Sequence, residues 1–273
     1  MKRDWYTKMK EDGIKRWRPC TSYCQMTGAA AAFLSVSGCH VLMNSPRWCA
    51  ILAERELAKE QKEYEQRLFC SEVLEPDLLY GVCNKVTAAL EELSSQAKPT
   101  LLAVLTSCSL SLIGDDLKGI CRAASTNCPV IALDAGGLSG EFTNGWVKAV
   151  LALLKQQCLQ KQSTCSMSVN LIGFSTVQSA WKDSIQKLQE QLAKAQIKVN
   201  CCLLTNNTQL SEVQNLGQAQ LNLVLDKELG LPVAEWLQQN LQQPYIILPE
   251  PILLEHGYKW LDDVLAFRCR NTI

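Results

Sequence analysis

The sequence predicts an α/β protein made of two Rossmann-like, doubly wound parallel-sheet domains, and three observations carry that expectation. Short runs such as "KPTLLAVLTSC" (98–108) and "NCPVIALDAGG" (127–137) are apolar almost throughout and closed by turn residues, the pattern of strands buried on both faces. Amphipathic helical stretches alternate with such runs from about residue 98 onward. At 273 residues the chain also exceeds what one core comfortably supports, so two domains are the default.

Taken in order, residues 1–19 form a polar lead-in: the first eighteen carry seven Lys/Arg against three Asp/Glu and no apolar core, unlike a secretory signal. Domain one, 20–163, then holds the two strands above, with "GDDLKGICRAAS" (114–125) as the crossover helix between them and "GWVKAVLALLKQQCLQKQ" (145–162) as a long closing helix. The polar stretch "QSTCSMS" (162–168) marks the boundary. In domain two, 164–273, the cycle restarts: strand "VNLIGFS", helix "SAWKDSIQKLQEQLAKAQ", strand "KVNCCLL", a short helix near 208–215, strand "LNLVLD", helix "LPVAEWLQQNL", strand "YIILPEP" and helix "LLEHGYKWLDDVLAF".

Charge and motifs narrow the function. Lys plus Arg (27) balance Asp plus Glu (27), so no global field draws the chain to nucleic acid or an anionic membrane. The longest small and apolar run, Gly28 to Cys39, falls well short of the roughly 20 residues that span a bilayer. There is no G-x-x-x-x-G-K-[ST] phosphate loop, so ATP hydrolysis is not expected of this chain. "DAGGLSGEF" is a partial echo of a dinucleotide-binding turn without its G-x-G-x-x-G spacing. Two histidines, His40 and His256, and no G-x-S-x-G elbow leave little for a His-assisted hydrolase, and His256 reads as a helix-end or surface residue. Asp115 and Asp116 could bind a cation, but capping and the helix dipole already favour carboxylates there.

Cysteine is the informative residue. Fourteen of them without an export signal suggest a reducing, cytoplasmic setting in which thiols serve metals, redox chemistry or burial. Cys24, Cys49 and Cys108 each sit at an expected loop or element end, where a thiolate can face a shared cavity as an iron-sulfur ligand must. No tight C-x-x-C zinc knuckle occurs. Cys201 and Cys202, adjacent in a strand, point to opposite faces and read as small core residues, and Cys83 reads as helix packing. Cys121, Cys128, Cys158, Cys165 and Cys269 have no ligand-like context, while Cys20, Cys39 and Cys70 flank the candidates and stay open.

The order "RPCTSYCQMTGAAAAF", "SPRWC", "EPDLLYGVCNKVTAAL", "LTSCSLSLIGDDL", "PVIALDAGGLSGEFTNGW" resembles the nitrogenase component 1 family over about residues 18 to 266. The resemblance implies a subunit that binds an iron-sulfur cluster, most simply [4Fe-4S], at a subunit interface. Motif by motif, the ligands fall on Cys24, Cys49 and Cys108, 25 and 59 residues apart. It also implies electrons from a separate ATP-dependent P-loop iron protein, and a partner that is a paralogous subunit or a second copy. Three thiolates leave one cluster iron open, to be closed by the partner or by Cys20 or Cys39. Three departures matter. Gly137 stands where the β-type subunit has a serine, Asp226 stands where the catalytic subunit has its cofactor-holding cysteine, and the resemblance stops at "FRCRNTI", after two of three family domains. An eight-iron cluster and dinitrogen reduction are therefore not expected. A cofactor carrier or scaffold, and a metal-free shortened paralogue pairing with a full-length subunit, are the alternatives.

Overall fold

The computed structural model describes residues 23–59, 62–163, 165, 167–177, 181–205, 207–248, 264 and 266. The amino-terminal extension, Cys20, His256, Cys269 and nearly all of the last expected helix lie outside those residues. Two four-stranded, wholly parallel sheets make the frame. The first has the order β2-β1-β3-β4, from Cys39–Asn44 (β1), Leu68–Cys70 (β2), Leu101–Thr106 (β3) and Val130–Asp134 (β4). The second repeats that order as β6-β5-β7-β8, from Ser168–Ile172 (β5), Lys198–Cys202 (β6), Leu221–Val224 (β7) and Tyr245–Ile247 (β8).

Helices cover both faces of the first sheet. The described helices are α1 (Gln25–Leu34), α2 (Arg47–Leu57), α3 (Glu75–Tyr80), α4 (Cys83–Gln96), α5 (Cys108–Ile113), α6 (Leu117–Ala123), α7 (Phe142–Gln156), α8 (Trp181–Lys194), α9 (Leu210–Gln214) and α10 (Lys227–Leu241). Side chains alternate along a strand, so β3 feeds two cores at once. Leu101, Ala103 and Leu105 join the cluster under α1 and α7, while Leu102 and Val104 join Val86, Leu90 and Ile120 of α4 and α6. That burial on both faces is why "LLAVL" is legible as a parallel strand.

Two strands escape the sequence reading. β1 is interrupted by a polar His40 and ends on Asn44, and β2 is a three-residue edge strand, so neither offers a sustained apolar run. What looks like an irregular lead into domain one is in fact half of its sheet. The expected helix at 231 begins a turn earlier, at Lys227, because the Asp226 carboxylate caps it by accepting the Leu229 N–H at 2.9 Å. Pro232 therefore lies within the helix instead of opening it.

The sheets share one apolar cluster. It runs from Met26 and Phe33 of α1 through Trp146 and Leu153 of α7 to Val233 and Leu237 of α10. Buried hydroxyls add a polar tie across it, with Tyr64 Oη 2.9 Å from Thr176 Oγ1 and 3.2 Å from Ser35 Oγ.

Candidate metal centre

In an order β2-β1-β3-β4 the chain leaves β1 toward one side and β3 toward the other, which opens a crevice at the carboxyl ends of these two strands. Cys49 follows β1, on the first turn of α2, and Cys108 follows β3 as the first residue of α5. Cys24 arrives from across the sheet as the residue that begins α1, and an isolated bridge to Glu141 pins its backbone. The sequence-predicted trio thus meets at one edge of the first sheet.

The loop after β4 closes the fourth side. Gly137 donates its N–H to Cys108 Sγ at 3.0 Å. A Cβ at Gly137 would lie 3.1 Å from Cys24 Cβ and 3.7 Å from Cys108 Sγ, so this glycine sits between the two cysteines. A Cβ at Gly136 would lie 2.9 Å from Ser111 Oγ and 3.2 Å from Cys108 Cα. Gln25, fully buried beside Cys24, holds the same loop. With its oxygen facing Lys148 Nζ at 3.0 Å, its amide donates to Ser139 Oγ at 2.8 Å and to the Gly136 carbonyl at 3.1 Å.

Two more glycines set where α1 begins. A Cβ on Gly28 would come within 1.9 Å of the Phe142 carbonyl oxygen, and one on Gly145 within 1.8 Å of the Gln25 carbonyl oxygen. Helices α1 and α7 therefore touch backbone to backbone at both positions, which no larger residue permits. The C-Q-x-x-G-A and G-W motifs are two halves of one contact, and that contact places Cys24. Tyr23 adds two ties: its ring meets Phe142 edge-on at 6.3 Å, and its hydroxyl hydrogen-bonds the Glu56 carboxylate of α2.

Burial is the main cause that pushes the Cys49 thiol above its ordinary range, followed by the neighbouring sulfurs of Cys24, Cys108 and Cys70. The last is a residue the sequence left open. Its strand is short and its position depends on β2 lying beside β1, so no local pattern announces it. Cys39 goes the other way: it starts β1 at the opposite end of the sheet, fully buried, and desolvation holds its thiol protonated. It does not stand near the trio. Cys201 and Cys202 do split between the two faces of β6, Cys201 in the shared core and Cys202 against the outer one, where burial pushes its thiol up to about 12. Cys83 is a correction, since it opens α4 as an exposed residue and packs little. Of the acidic pair, Asp116 caps α6 by accepting the Gly119 N–H at 3.0 Å, while Asp115 reaches away from that helix to accept the Val82 N–H at 3.2 Å.

Among the described residues, no three His, Cys, Asp or Glu side chains stand close enough to share a single metal ion. A cluster of several irons spreads its thiolates further apart than one ion does, so the test here is the chemistry of the edge. Its donors are all sulfur, one sulfur already accepts a backbone N–H, and a glycine leaves space between two of them.

Residues 24–268 match the family described as nitrogenase component 1 type oxidoreductase. The chain belongs to that family. Among component 1 relatives, the cofactor-biosynthesis protein NifE of Clostridium pasteurianum is 25% identical over 228 residues, covering 82% of this chain and 49% of that protein. One subunit of the light-independent protochlorophyllide reductase of Chlorobium phaeovibrioides is 24% identical over 235 residues, covering 85% of this chain and 44% of that protein. The component 1 fold recurs in the structure "Nitrogenase Cp1 at pH 6.5", with a TM-score of 0.70 at 21% identity over 85% of this chain and 47% of that one. The chain spans about half the length of these relatives.

Proposed function

We propose that this chain is an iron-sulfur subunit of the component 1 type, in which Cys24, Cys49 and Cys108 hold a [4Fe-4S] cluster and a P-loop iron protein in the cytoplasm supplies electrons. The observation that carries the reading is the convergence of the three cysteines and the Gly137 loop at the carboxyl edge of the first sheet. When bound, such a cluster supplies a one-electron store. The protein's part is to set its surroundings. The Gly137 N–H opposes negative charge on the Cys108 sulfur, and the Gln25 and Gly28 contacts fix the direction from which Cys24 approaches. No helix among the described residues is long and apolar enough to cross a membrane.

A partner, either a paralogous component 1 subunit or a second copy, covers this edge. Large apolar side chains surround it uncovered: Trp48 next to Cys49, Leu112 on the helix begun by Cys108, and Leu138 next to Gly137, at 71%, 77% and 74% exposure. Exposed apolar residues clustered in this way mark interaction surfaces. A second reading, a carrier that holds a cluster or cofactor without turnover, draws support from Asp226. Its carboxylate is engaged as a helix cap at the position where the resemblance places a cofactor ligand.

Anaerobic purification tests the cluster: a brown protein with about four irons per cluster is expected. Cys108→Ala should abolish iron binding while Cys202→Ala leaves it intact, and equal behaviour of the two variants would remove the ligand assignment. Oxidation of a cognate iron protein in the presence of ATP separates the redox subunit from the carrier.

A further inference from the structure

Strand β4 lies at the rim of the first sheet and pairs with β3 alone. The Leu102 N–H donates to the Pro129 carbonyl at 3.0 Å and the Ala135 N–H to the Thr106 carbonyl at 3.3 Å, which fixes the phase of the ladder: odd-numbered residues of β4 turn their backbone groups toward β3. The N–H and C=O of Val130 and Ala132 therefore face away from the sheet, and no hydrogen-bond partner meets them among the described residues. Beside them runs a groove of about 590 Å³, lined by the strand, by α6 and by the last turns of α7, where Ala152 leaves room. The groove is basic. Lys118 and Arg122 of α6 and Lys155 of α7 are exposed along it, no acidic side chain lines it, and none of the three cations forms an ion pair among the described residues. Charges that guard an edge against pairing commonly stand on the edge strand itself, whereas β4 carries none before Asp134.

We infer that the open edge of β4 takes an extended acidic segment of a partner polypeptide as a fifth strand of the first sheet. Its backbone pairs with the outward groups of Val130 and Ala132, and its side chains alternate between the α6 side and the α7 side. Carboxylates on the α6 side meet Lys118 and Arg122, and those on the other side meet Lys155. A second copy of this chain fits the edge less well, because pairing β4 with β4 brings the same three cations against each other. The inference goes beyond the function proposed above and does not need it, since none of these residues belongs to the metal edge.

The probe is a fluorescein-labelled heptapeptide of alternating Glu and Val, titrated with the full chain and followed by fluorescence anisotropy. Wild type should bind it, as should Lys187→Glu/Lys194→Glu, which places the same change of charge on α8. Lys118→Glu/Arg122→Glu should weaken binding about tenfold or more and flatten its dependence on salt. Ala132→Pro removes an outward N–H without breaking a bond to β3 and should weaken binding as well, with circular dichroism and melting curves checking that each variant folds. Backbone pairing is read from the peptide: N-methylation of its Val residues or of its Glu residues should abolish binding in one case and spare it in the other. Equal behaviour of the two methylated peptides would overturn the strand addition, as would a wild-type chain that binds no peptide. A dimer of the chain that Ala132→Pro dissociates would overturn it in favour of a second copy. Oligouridylate bound more tightly than the peptide, with the same dependence on Lys118 and Arg122, would overturn it in favour of nucleic acid. None of these readouts involves iron, so this inference and the cluster assignment fail separately.

Discussion

The two sheets share a strand order and differ in their chemistry. In the first, the carboxyl edge gathers cysteines and glycines, while the sheet itself is filled with Val, Leu and Ala. The second places its polar groups inside. Asn170 Nδ2 donates to Asn222 Oδ1 at 2.8 Å and to the Leu216 carbonyl at 3.0 Å, and Gln243 donates to the Leu216 and Ala219 carbonyls. Asn200 completes the network by donating to Asn170 Oδ1 at 2.9 Å. Each fully buried amide is satisfied, so the network fixes the packing of the second sheet and offers nothing to a ligand. The same topology thus gathers thiols at a strand edge in one half and encloses a satisfied amide network in the other, and only the residues at strand ends and on one face decide which.

That contrast can be broken most severely at the crossing of α1 and α7. Gly145→Ala drives a Cβ into the Gln25 carbonyl and should cost about 3 kcal/mol or more, the upper range for overpacking. Denaturant unfolding measures the loss, and iron uptake should fall with it because Cys24 must shift. Gly230→Ala, which presses on the Ile172 carbonyl from α10, should destabilise as well, yet leave the iron taken up by the remaining folded protein unchanged.

A smaller effect is expected from Asn222→Leu. It removes the acceptor of one Asn170 amide N–H and the donor to the Gln243 oxygen, and should cost about 1–3 kcal/mol in a urea titration, again without altering iron content. If iron uptake falls instead, the second sheet is more than a support.

Next comes a dependence on pH that both halves share. Burial raises the thiols of Cys39 and Cys201, and that of Cys121 to about 11. Unfolded thiols ionise near about 8.5, so above that pH the unfolded chain releases protons that the folded chain keeps. Stability of the iron-free protein should be level below about pH 7.5 and fall as pH rises through about 8.5 to 10. Melting temperatures across that range check the slope, which should become shallower in Cys39→Ala/Cys201→Ala.

The smallest expected loss of stability, about 1 kcal/mol or less, belongs to Gly137→Ala, whose new methyl group meets Cys24 Cβ at a tight but yielding distance. Its iron retention should nonetheless drop, because the methyl group occupies space between Cys24 and Cys108. An unchanged iron content would mean that the space beside Gly137 is not used.

Much of this is legible in the sequence wherever the pattern is local. "LLAVLT" leading to Cys108, the restart after residue 168 and the Asp116 cap all follow from runs of adjacent residues, whereas the bond from Val82 to Asp115 spans 33 positions. What stays hidden depends on neighbours that the chain order does not reveal. Cys70 comes to the carboxyl edge only because β2 lies beside β1, and a strand of three residues carries too little periodicity to announce itself. Gly28 and Gly145 are 117 positions apart and stand out as motif letters, but their purpose emerges only when two helices cross. Cys39 is eligible as a ligand until its end of the strand is known.

The apolar cluster that passes from α1 through α7 to α10 gives the two halves a common fate. Side chains from either half fill the same volume, so neither can melt and leave the other with a dry interior. Calorimetry of the iron-free chain should record a single endotherm, and a destabilising change in either half should lower that one transition without splitting it.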